Sequence, residues 1–254
     1  MDNIFRKIGF TPKRKWGQHF IVDKGLALRV AEILPPNVDV VEVGGGLGAL
    51  TSVIIEKTRQ LTVVEIDEKL ADYLENKFDE IRLIRGDFLR VELPRSDYIV
   101  SALPYSISKP FILKLVRDGS KWRHAVLILQ KEFAEKLTAK PCEENYREIS
   151  VLAQYACDIR LLERVSRKCF YPEPRVDSIL SVLSVKDSYD EHTARLLEDL
   201  TSRLFNYKNR TLRTALNLAK LSTLLQNLTT NPDLLKMRVG CLDVAGFIEL
   251  AKKL

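Results

Sequence analysis

The sequence predicts an α/β fold with a mostly parallel sheet, followed by a smaller domain made of helices. A β-branched run over residues 38–43 leads through a glycine-rich loop into a helical segment. A second apolar run over residues 61–65 fits the next parallel strand. Near residue 187 the strand patterns cease and apolar residues take helical spacing. We therefore predict a sheet domain over residues 24–187 and a helical domain over residues 188–254.

The composition is that of an ordinary soluble protein with a basic surface. The chain has 254 residues, 46% of them hydrophobic and 29% charged, and a formal net charge of +6. The positive charge favours an anionic partner such as nucleic acid, and the alternative is a basic surface without a specific partner. No stretch approaches the ~18 apolar residues of a membrane helix, and Met1–Phe10 lacks an apolar signal core. We expect a cytoplasmic protein with no membrane partner.

The cysteines are scattered along the chain. Cys142, Cys157, Cys169 and Cys241 form no C-x-x-C pair, which argues against a zinc site and against a disulfide framework. We expect reduced thiols and no metal site.

A basic arm, residues 1–23, precedes the predicted sheet domain. Arg14 and Lys15 belong to a cationic cluster, and the amphipathic stretch Gly17–Asp23 follows it. A flexible cationic arm contacts phosphates without reading base sequence, so Arg14 and Lys15 are candidate RNA contacts. The alternative is a solvated tail.

The glycine-rich loop indicates a cofactor that contains adenosine. Gly44, Gly46 and Gly48 lie between a strand and a helix, where bare backbone can approach a nucleotide closely. Glu65 ends the next strand about 20 residues later, the place of a carboxylate that holds ribose hydroxyls. Asp87, after the third strand, could accept a hydrogen bond from the cofactor's adenine amine, or act only as a turn or cap residue. These signals alone leave NAD and S-adenosylmethionine both open.

The spacing within the loop separates the two cofactors. Residues 42–48 resemble the E/D-x-G-x-G-x-G motif of class I methyltransferases rather than G-x-G-x-x-G, because position 49 is Ala. Further along, Ser101–Ser106 follows an apolar strand and resembles the Asn-Leu-Pro-Tyr signature of enzymes that methylate the exocyclic amine of adenine. Both motifs favour S-adenosylmethionine.

Other segments extend the resemblance, in the same order, over nearly the whole chain. They are Gly17–Asp23 (G-Q-N/H-F-L-x-D), Leu129–Ala134 (Q-x-E-x-A), Ile149–Tyr155 (L-S-V-x-x-Q), Phe170–Ser178 (F-x-P-x-P-x-V-x-S) and Phe205–Thr214 (F-x-x-R-R-K-T-L-R-N, altered here). On these strings the chain resembles the rRNA adenine N6,N6-dimethyltransferases, in particular the small-subunit dimethylases. The resemblance implies a class I S-adenosylmethionine-dependent methyltransferase, Rossmann-like with a mostly parallel seven-stranded sheet, and a small all-helical C-terminal domain.

The resemblance also implies the cofactor, the partner and their contacts. The cofactor is S-adenosylmethionine, and the partner is ribosomal RNA in the immature small subunit, bound by a monomer. The implied cofactor contacts are Gln18, His19, Ile21, Gly44, Gly46, Gly48, Glu65, Ile66, Asp87, Phe88 and Ala102. The implied RNA contacts of the helical domain are Arg203, Lys208, Arg210 and Arg213. If residues 203–213 are helical, the three arginines share one side, and the alternative is a solvated charged face.

The expected chemistry is methyl transfer to the adenine amine, whose lone pair is delocalised into the ring. Two acceptors would position and pyramidalise the amine, one from a side chain and one from the Leu103 carbonyl before Pro104. A flipped base is held between aromatic faces. Tyr105 supplies one face and, by resemblance, Phe170 the other, although Phe170 could simply anchor its loop. No metal or general base is required, because S-adenosylmethionine carries an activated leaving group.

Ala102 departs from the family signature, which has Asn at this position. Loss of the side-chain acceptor costs roughly 1.5–3 kcal/mol in a desolvated site, or about one to two decades of rate. Ser101 should face the other side of the strand and is a poor substitute. An engineered substitution and a natural branch with altered methylation both fit. A second departure, at Tyr146–Glu148, predicts a difference in RNA binding.

Several functions are therefore compatible with the sequence. The first is dimethylation of small-subunit rRNA adenines during ribosome biogenesis. The second is a weakly catalytic or non-catalytic assembly factor that keeps the same fold. A large-subunit rRNA adenine methylase shares the signature strings, whereas the loop spacing disfavours a nicotinamide-dependent dehydrogenase.

Overall fold

The structure is a computed structural model that describes residues 2–12, 17–103, 105–227 and 232–254. Side chains are described from Phe5 onward, except that of Tyr105. The described part of the chain groups into two compact units. The first comprises Met1–Phe111, Ser120–Ala134 and Arg160–Val185, and the second comprises Ile112–Gly119, Glu135–Ile159 and Lys186–Leu254. The domain limits 24–187 and 188–254 stay a prediction.

The elements alternate between strands and helices until residue 185 and are helical thereafter. The strands are β1 (Phe20–Ile21), β2 (Val38–Val43), β3 (Thr58–Glu65), β4 (Ile81–Arg85), β5 (Tyr98–Ala102), β6 (His124–Gln130), β7 (Cys157–Val165), β8 (Phe170–Tyr171) and β9 (Ser178–Val185). The first helices are α1 (Asp2–Lys7), α2 (Lys24–Ile33), α3 (Thr51–Ile54), α4 (Glu68–Lys77), α5 (Ser108–Arg117), α6 (Lys131–Leu137) and α7 (Glu148–Ala156). The remaining helices are α8 (Glu191–Leu204), α9 (Leu212–Leu218), α10 (Ser222–Asn227), α11 (Pro232–Lys236) and α12 (Val244–Ala251).

Among the described residues, seven strands form the main sheet in the order β4-β3-β2-β5-β6-β9-β7. The pairs β3–β4, β2–β3, β2–β5 and β5–β6 are parallel, and β6–β9 is antiparallel. From β2 the chain runs outward to β3 and β4 on one side and to β5 and β6 on the other. Open α/β sheets hold ligands at this reversal point, outside the carboxyl ends of the strands. The predicted Rossmann-like class is confirmed, and it places residues 44, 65 and 102 at one edge.

The sheet interior explains why the central strands are almost wholly apolar. Val40, Val41, Ile99 and Val100 of β2 and β5 are each at most 1% exposed. Strands covered on both faces lack the alternation of polar and apolar residues that half-exposed strands show. The central strands are therefore fixed by burial, and only their ends offer polar groups.

A separate two-stranded sheet, within the described residues, joins β1 to β8. Phe20 lies opposite Tyr171, and Ile21 lies opposite Phe170. The Phe20 ring also contacts Phe5 and Phe10, with centroids 5.1 and 5.8 Å away. Asp23 then caps α2 by accepting a hydrogen bond from the Leu26 amide at 2.8 Å. Strand pairing, ring contacts and the helix cap thus hold residues 20–23 in place.

The cysteine prediction is wrong for two of the four residues. Cys142 and Cys241, 99 residues apart in sequence, form a disulfide in the second unit. The backbone brings them together, because the Cys142 amide donates to the Gly240 carbonyl at 2.7 Å. Local spacing rules for cysteine detect pairs within one segment and cannot detect such a contact. Cys157 and Cys169 are free thiols.

The helical periodicity after residue 190 corresponds to real helices, with one break. Leu197, Leu200 and Leu204 of α8 are fully buried. The helix does not continue from residue 203 to 213, because α8 ends at Leu204 and a 3-10 turn, Phe205–Tyr207, separates it from α9. In the described part of the chain no helix is long and apolar enough to cross a membrane.

Candidate active site

A cavity of about 280 Å³ lies in the first unit at the carboxyl ends of β2, β3, β4 and β5. The predicted residues that line it are Gln18, His19, Gly44, Gly46, Glu65, Ile66, Asp87, Phe88, Ala102, Leu103 and Phe170. Predicted residues from six separate segments therefore come together at one place. Two other predicted contacts, Ile21 and Gly48, do not line this cavity.

The start of the glycine loop, at Gly44, lines the cavity, whereas its end, at Gly48, packs against the Phe78 ring. Gly44 has φ +79°, and no atom of the described residues lies within 4 Å of the position that a Cβ would take. Gly48 has φ +77°, and a Cβ there would lie 2.5 Å from the Phe78 ring. Both positions strain any other residue, for L-side chains avoid positive φ. Gly44 therefore opens toward a ligand, whereas Gly48 permits close packing.

Glu65 ties the loop to the end of β3. Its carboxylate accepts hydrogen bonds from the amides of Gly46 and Asp67, both at 3.0 Å. Burial raises the pKa of this carboxyl, and the backbone hydrogen bonds act against that rise. The Ile66 amide also interacts with this carboxylate, which has about four acceptor positions, so acceptor capacity remains for a ligand's hydroxyl.

Glu42 lies beneath the loop rather than in the cavity. It is 1% exposed, and the Thr51 hydroxyl donates to its Oε2 at 2.6 Å. Burial raises the pKa of Glu42 to about 8, and the nearby Glu65 charge acts in the same direction. The acid of the loop motif thus sits as a largely protonated group under the backbone that it supports.

Asp87 lies at the cavity and also shapes the turn after β4. It lines the cavity, and its carboxylate accepts a hydrogen bond from the Leu89 amide at 2.9 Å, so it also caps the turn after β4. Phe88 is buried and stacks on Phe111, with ring centroids 4.7 Å apart. This stacking fixes the turn that presents Asp87.

The end of β5 forms the opposite wall. Ala102 lies beside Ile128 of β6, and the Leu103 amide donates to the Ile128 carbonyl at 3.3 Å. Ser101 is buried, and its hydroxyl donates to the Val43 carbonyl at 2.7 Å instead of lining the cavity. Pro104 lies outside the described residues, as does the side chain of Tyr105.

Residues 17–20, which we call the cover, form one side of the cavity. Gly17, Gln18, His19 and Phe20 all line it, directly before and within β1. Phe170, 6% exposed, lines it from the paired strand β8. Ile21 lies opposite Phe170 and is buried in the main core, and it does not line the cavity.

Comparison with known proteins decides the family. Residues 9–253 match the family model described as ribosomal RNA adenine dimethylase. The chain belongs to this family. It is an rRNA adenine methyltransferase, and S-adenosylmethionine is its methyl donor, so the predictions of family, enzyme class and cofactor are confirmed.

Relatives in this dimethylase family cover most of the chain. A probable ribosomal RNA small subunit methyltransferase A of Pyrococcus abyssi is 34% identical over 84% of this chain and 78% of its own length. The probable enzyme of that name from Pyrobaculum islandicum is 38% identical over 79% of this chain and 84% of its own. A third relative, from Malacoplasma penetrans, is 33% identical over 83% of this chain and 79% of its own.

Two solved structures share the dimethylase fold. A dimethyladenosine transferase from Plasmodium falciparum is 24% identical with a TM-score of 0.80, covering 91% of this chain and 95% of its own. The 23S rRNA methyltransferase ErmE is 24% identical with a TM-score of 0.66, covering 92% and 99%. At this identity both similarities concern the fold.

The expected RNA contacts of this dimethylase have unequal surroundings. Arg203 pairs with Asp199 one helical turn earlier, at 3.0 Å. The Lys208 ammonium donates to the carbonyls of Glu143 and Glu144 at 3.0 and 2.8 Å, and burial lowers its pKa. Arg210 and Arg213 are exposed. Arg14 and Lys15 lie outside the described residues.

The sequence did not indicate every residue of the site. Phe20, Ser106, Ile128 and Ser178 also line the cavity. Phe20, Ser106 and Ser178 lie inside segments that carry the family resemblance, so the sequence contained a signal for them without assigning a role. In the described residues no cluster of His, Cys, Asp and Glu is arranged to hold a metal ion.

Proposed function

We propose that this protein dimethylates adenines of small-subunit ribosomal RNA on immature subunits, acting as a monomer in the cytoplasm. The observation that carries the proposal is the cavity that brings Glu65, Asp87, Ala102 and Phe170 together. The names of relatives 33–38% identical to this chain support the small subunit as the target. The family as a whole supports adenine as the methylated base.

The residues of the cavity suit the cofactor. Gly44 leaves room beside the backbone, and Glu65 and Asp87 offer acceptors for ribose hydroxyls and for an adenine amine. Gln18 and His19 cover this end of the cavity, and Ile66 and Phe88 provide apolar wall. Bound S-adenosylmethionine supplies the activated methyl group.

The β5 end is proposed to hold the target base. The Leu103 carbonyl accepts a hydrogen bond from the adenine amine, while Tyr105 and Phe170 contact the two faces of the flipped ring. These residues orient the amine and exclude water, which lowers the barrier without a general base. Arg210 and Arg213, with Arg14, Lys15, Arg203 and Lys208, are proposed to contact RNA phosphates.

The absence of an Asn side chain at position 102 supports a second candidate, a weakly catalytic assembly factor. A methyl group at this place offers no acceptor to the base. The protein would then bind the subunit and transfer methyl groups slowly or not at all.

Ala102→Asn separates these functions. Purified protein is incubated with labelled S-adenosylmethionine and either unmethylated small-subunit particles or unmethylated large-subunit RNA, and N6,N6-dimethyladenosine is measured by mass spectrometry. We expect the variant to transfer about 10- to 100-fold faster than the original chain on small-subunit particles. Ala102→Leu, which has a similar shape without an acceptor, should not accelerate transfer.

Each other outcome has a defined meaning. No transfer to small-subunit particles by either protein, with particle binding intact, contradicts the enzymatic proposal and supports the assembly factor. Transfer only to large-subunit RNA contradicts the choice of subunit.

A further inference from the structure

The ladder between β1 and β8 ends at a proline. The Val22 amide donates to the Cys169 carbonyl at 2.8 Å, and the pairs Ile21–Phe170 and Phe20–Tyr171 follow. The residue directly after β8 is Pro172, which has no amide hydrogen to continue the ladder. Its carbonyl oxygen is instead 2.6 Å from Nδ1 of His19. An imidazole side chain therefore connects the two segments beyond the last backbone pair of the ladder.

The chemistry of the tie fixes the proton on the ring. A carbonyl oxygen only accepts, so Nδ1 of His19 carries the hydrogen and donates it. In the neutral ring Nε2 then has no hydrogen. Substitution can therefore test the Nδ1 position of His19 apart from the Nε2 position.

The tie joins two parts of the cavity wall. His19 lies between Gln18 and Phe20, which line the cavity, and Pro172 lies two residues after Phe170, directly beyond β8. Phe170 is nearly buried and lines the same cavity. The hydrogen bond from His19 to Pro172 therefore connects these covering residues to the backbone that carries the Phe170 ring.

We propose that His19 is a positioning residue, which couples closure over the cofactor to the placement of Phe170 through the Pro172 carbonyl. Cofactor contacts order the cover, the His19 tie orders the β8 backbone, and Phe170 is then held for the incoming base. The inference rests on the proposed function, because it takes Phe170 as a face of the base site. It adds a stated order: the cofactor prepares the adenine site.

Three substitutions of one residue test the tie. In His19→Asn the side-chain nitrogen Nδ2 is the same number of bonds from the backbone as Nδ1 of histidine, so the donor to Pro172 is kept. In His19→Gln the nitrogen lies one bond further, near the place of Nε2, and the donor to Pro172 is lost. His19→Ala removes both.

The first measurement needs no catalysis. Hydrogen exchange at residues 169–171 is followed with and without S-adenosylhomocysteine at saturating concentration for each protein. We expect the ligand to slow exchange by roughly fivefold or more in the original chain and in His19→Asn, the scale of one net hydrogen bond. In His19→Gln and His19→Ala the ligand should slow exchange less than twofold.

The second measurement uses transfer to small-subunit particles. We expect KM for the particle to rise roughly fivefold to tenfold in His19→Gln and His19→Ala, measured with S-adenosylmethionine saturating for each protein so that a lost cofactor contact of His19 does not enter the comparison. His19→Asn should restore the original KM. Thermal melts of all four proteins identify any variant that does not fold, and the Asn–Gln comparison stands without the Ala variant.

Two results overturn the inference. One is protection at residues 169–171 that is the same in all folded variants. The other is rescue by Gln and not by Asn, which assigns His19 to a direct contact through Nε2. A failure of methylation in the original chain counts against the proposed function alone, because the exchange measurement still reports on the tie.

Discussion

Two regions differ in how far the local sequence determines the role of a residue. One is the glycine loop of the first unit, residues 44–48. The other is a set of three loops of the second unit, residues 140–147, 207–213 and 237–242, which we call the linked loops. In the glycine loop, Glu65 bonds to the Gly46 amide only 19 residues away. In the linked loops the decisive contacts join residues 64 to 99 positions apart.

The difference has a physical origin. In the glycine loop the backbone itself is the functional group, so a local pattern of glycines and one acid determines both conformation and role. In the linked loops, long side chains bind partners that lie far away in the sequence, so the local pattern does not determine which partner is bound. Lys208 was expected to face RNA, and its ammonium is held by the Glu143 and Glu144 carbonyls. Sequence periodicity identifies a face of a helix but not the partner of a side chain.

The largest expected effect concerns the disulfide of the linked loops. Replacing Cys142 and Cys241 by Ser opens a loop of about 100 residues and should lower the free energy of unfolding by about 4 kcal/mol, measured in urea. Affinity for S-adenosylhomocysteine should change less than about twofold, because the cavity lies in the first unit. Cys169→Ser, a free cysteine, is the control and should cost under about 1 kcal/mol.

A loss of cofactor affinity in the double variant would break the comparison. It would mean that the linked loops support the cavity. If the free energy of unfolding falls by less than about 1 kcal/mol, the disulfide is not the main link between these loops. The hydrogen bond from the Cys142 amide to the Gly240 carbonyl then has that role.

The second prediction separates two glycines that share a backbone conformation. Gly48→Ala adds contact with the Phe78 ring to the cost of positive φ, so it should lower the free energy of unfolding by about 2–4 kcal/mol. Gly44→Ala adds only the backbone cost, about 1–2 kcal/mol, but its methyl group enters the cavity. Urea unfolding and titration calorimetry with S-adenosylhomocysteine measure the two effects.

We expect Gly44→Ala to weaken binding by at least about tenfold. If both substitutions destabilise the protein equally and leave the same affinity for S-adenosylhomocysteine, Gly44 and Gly48 do not have different roles. The local pattern would then predict the roles of residues in the glycine loop no better than in the linked loops.

The sequence predicted those parts of the site that depend on local geometry. The strand, loop and helix order placed Gly44, Glu65 and Asp87, and alternation along β5 correctly turned Ser101 away from the cavity. It could not predict contacts that depend on the assembled fold. Examples are the Cys142–Cys241 disulfide and the bond from His19 to Pro172 across 153 residues. Nothing local in either segment specifies such partners.

The third prediction uses the buried acid beneath the glycine loop. The pKa of Glu42 is raised from 4.5 to about 8 by burial, so between these values the folded protein binds a proton that the unfolded chain does not. Stability therefore falls as pH rises from 5 to 8, by up to ~1.4 kcal/mol per pH unit or about 2–4 °C in Tm. Glu65, whose pKa is also raised, contributes in the same direction.

Glu42→Gln imitates the protonated acid and still accepts the Thr51 hydroxyl's hydrogen bond. Tm measured at pH 6, 7 and 8 without ligand should then depend less on pH than in the original chain. If the slope of Tm against pH is the same in Glu42→Gln as in the original chain, Glu42 is not the source of the pH dependence. Another group then binds the proton.

The smallest expected effects test whether Lys208 and Arg210 really differ, although both were predicted to contact RNA. Lys208→Ala loses two hydrogen bonds to backbone carbonyls and the contact of its stem with Gly240, so the free energy of unfolding should fall by about 1–2 kcal/mol. Arg210→Ala, exposed, should change it by less than about 0.5 kcal/mol. The affinity for small-subunit RNA is measured at several salt concentrations. The magnitude of the slope of log affinity against log salt concentration should decrease by about 0.7–1 in Arg210→Ala and stay unchanged in Lys208→Ala.

The reverse result has an equally clear meaning. If Lys208→Ala lowers the salt slope and leaves unfolding unchanged, Lys208 leaves the Glu143 and Glu144 carbonyls when RNA binds. Its role would then follow directly from its place in the family's basic segment, as the role of Gly44 follows from its place in the loop. In the RNA complex a phosphate would then replace the two carbonyls as the partner of the Lys208 ammonium. The contrast between the linked loops and the glycine loop would hold only for the protein without RNA.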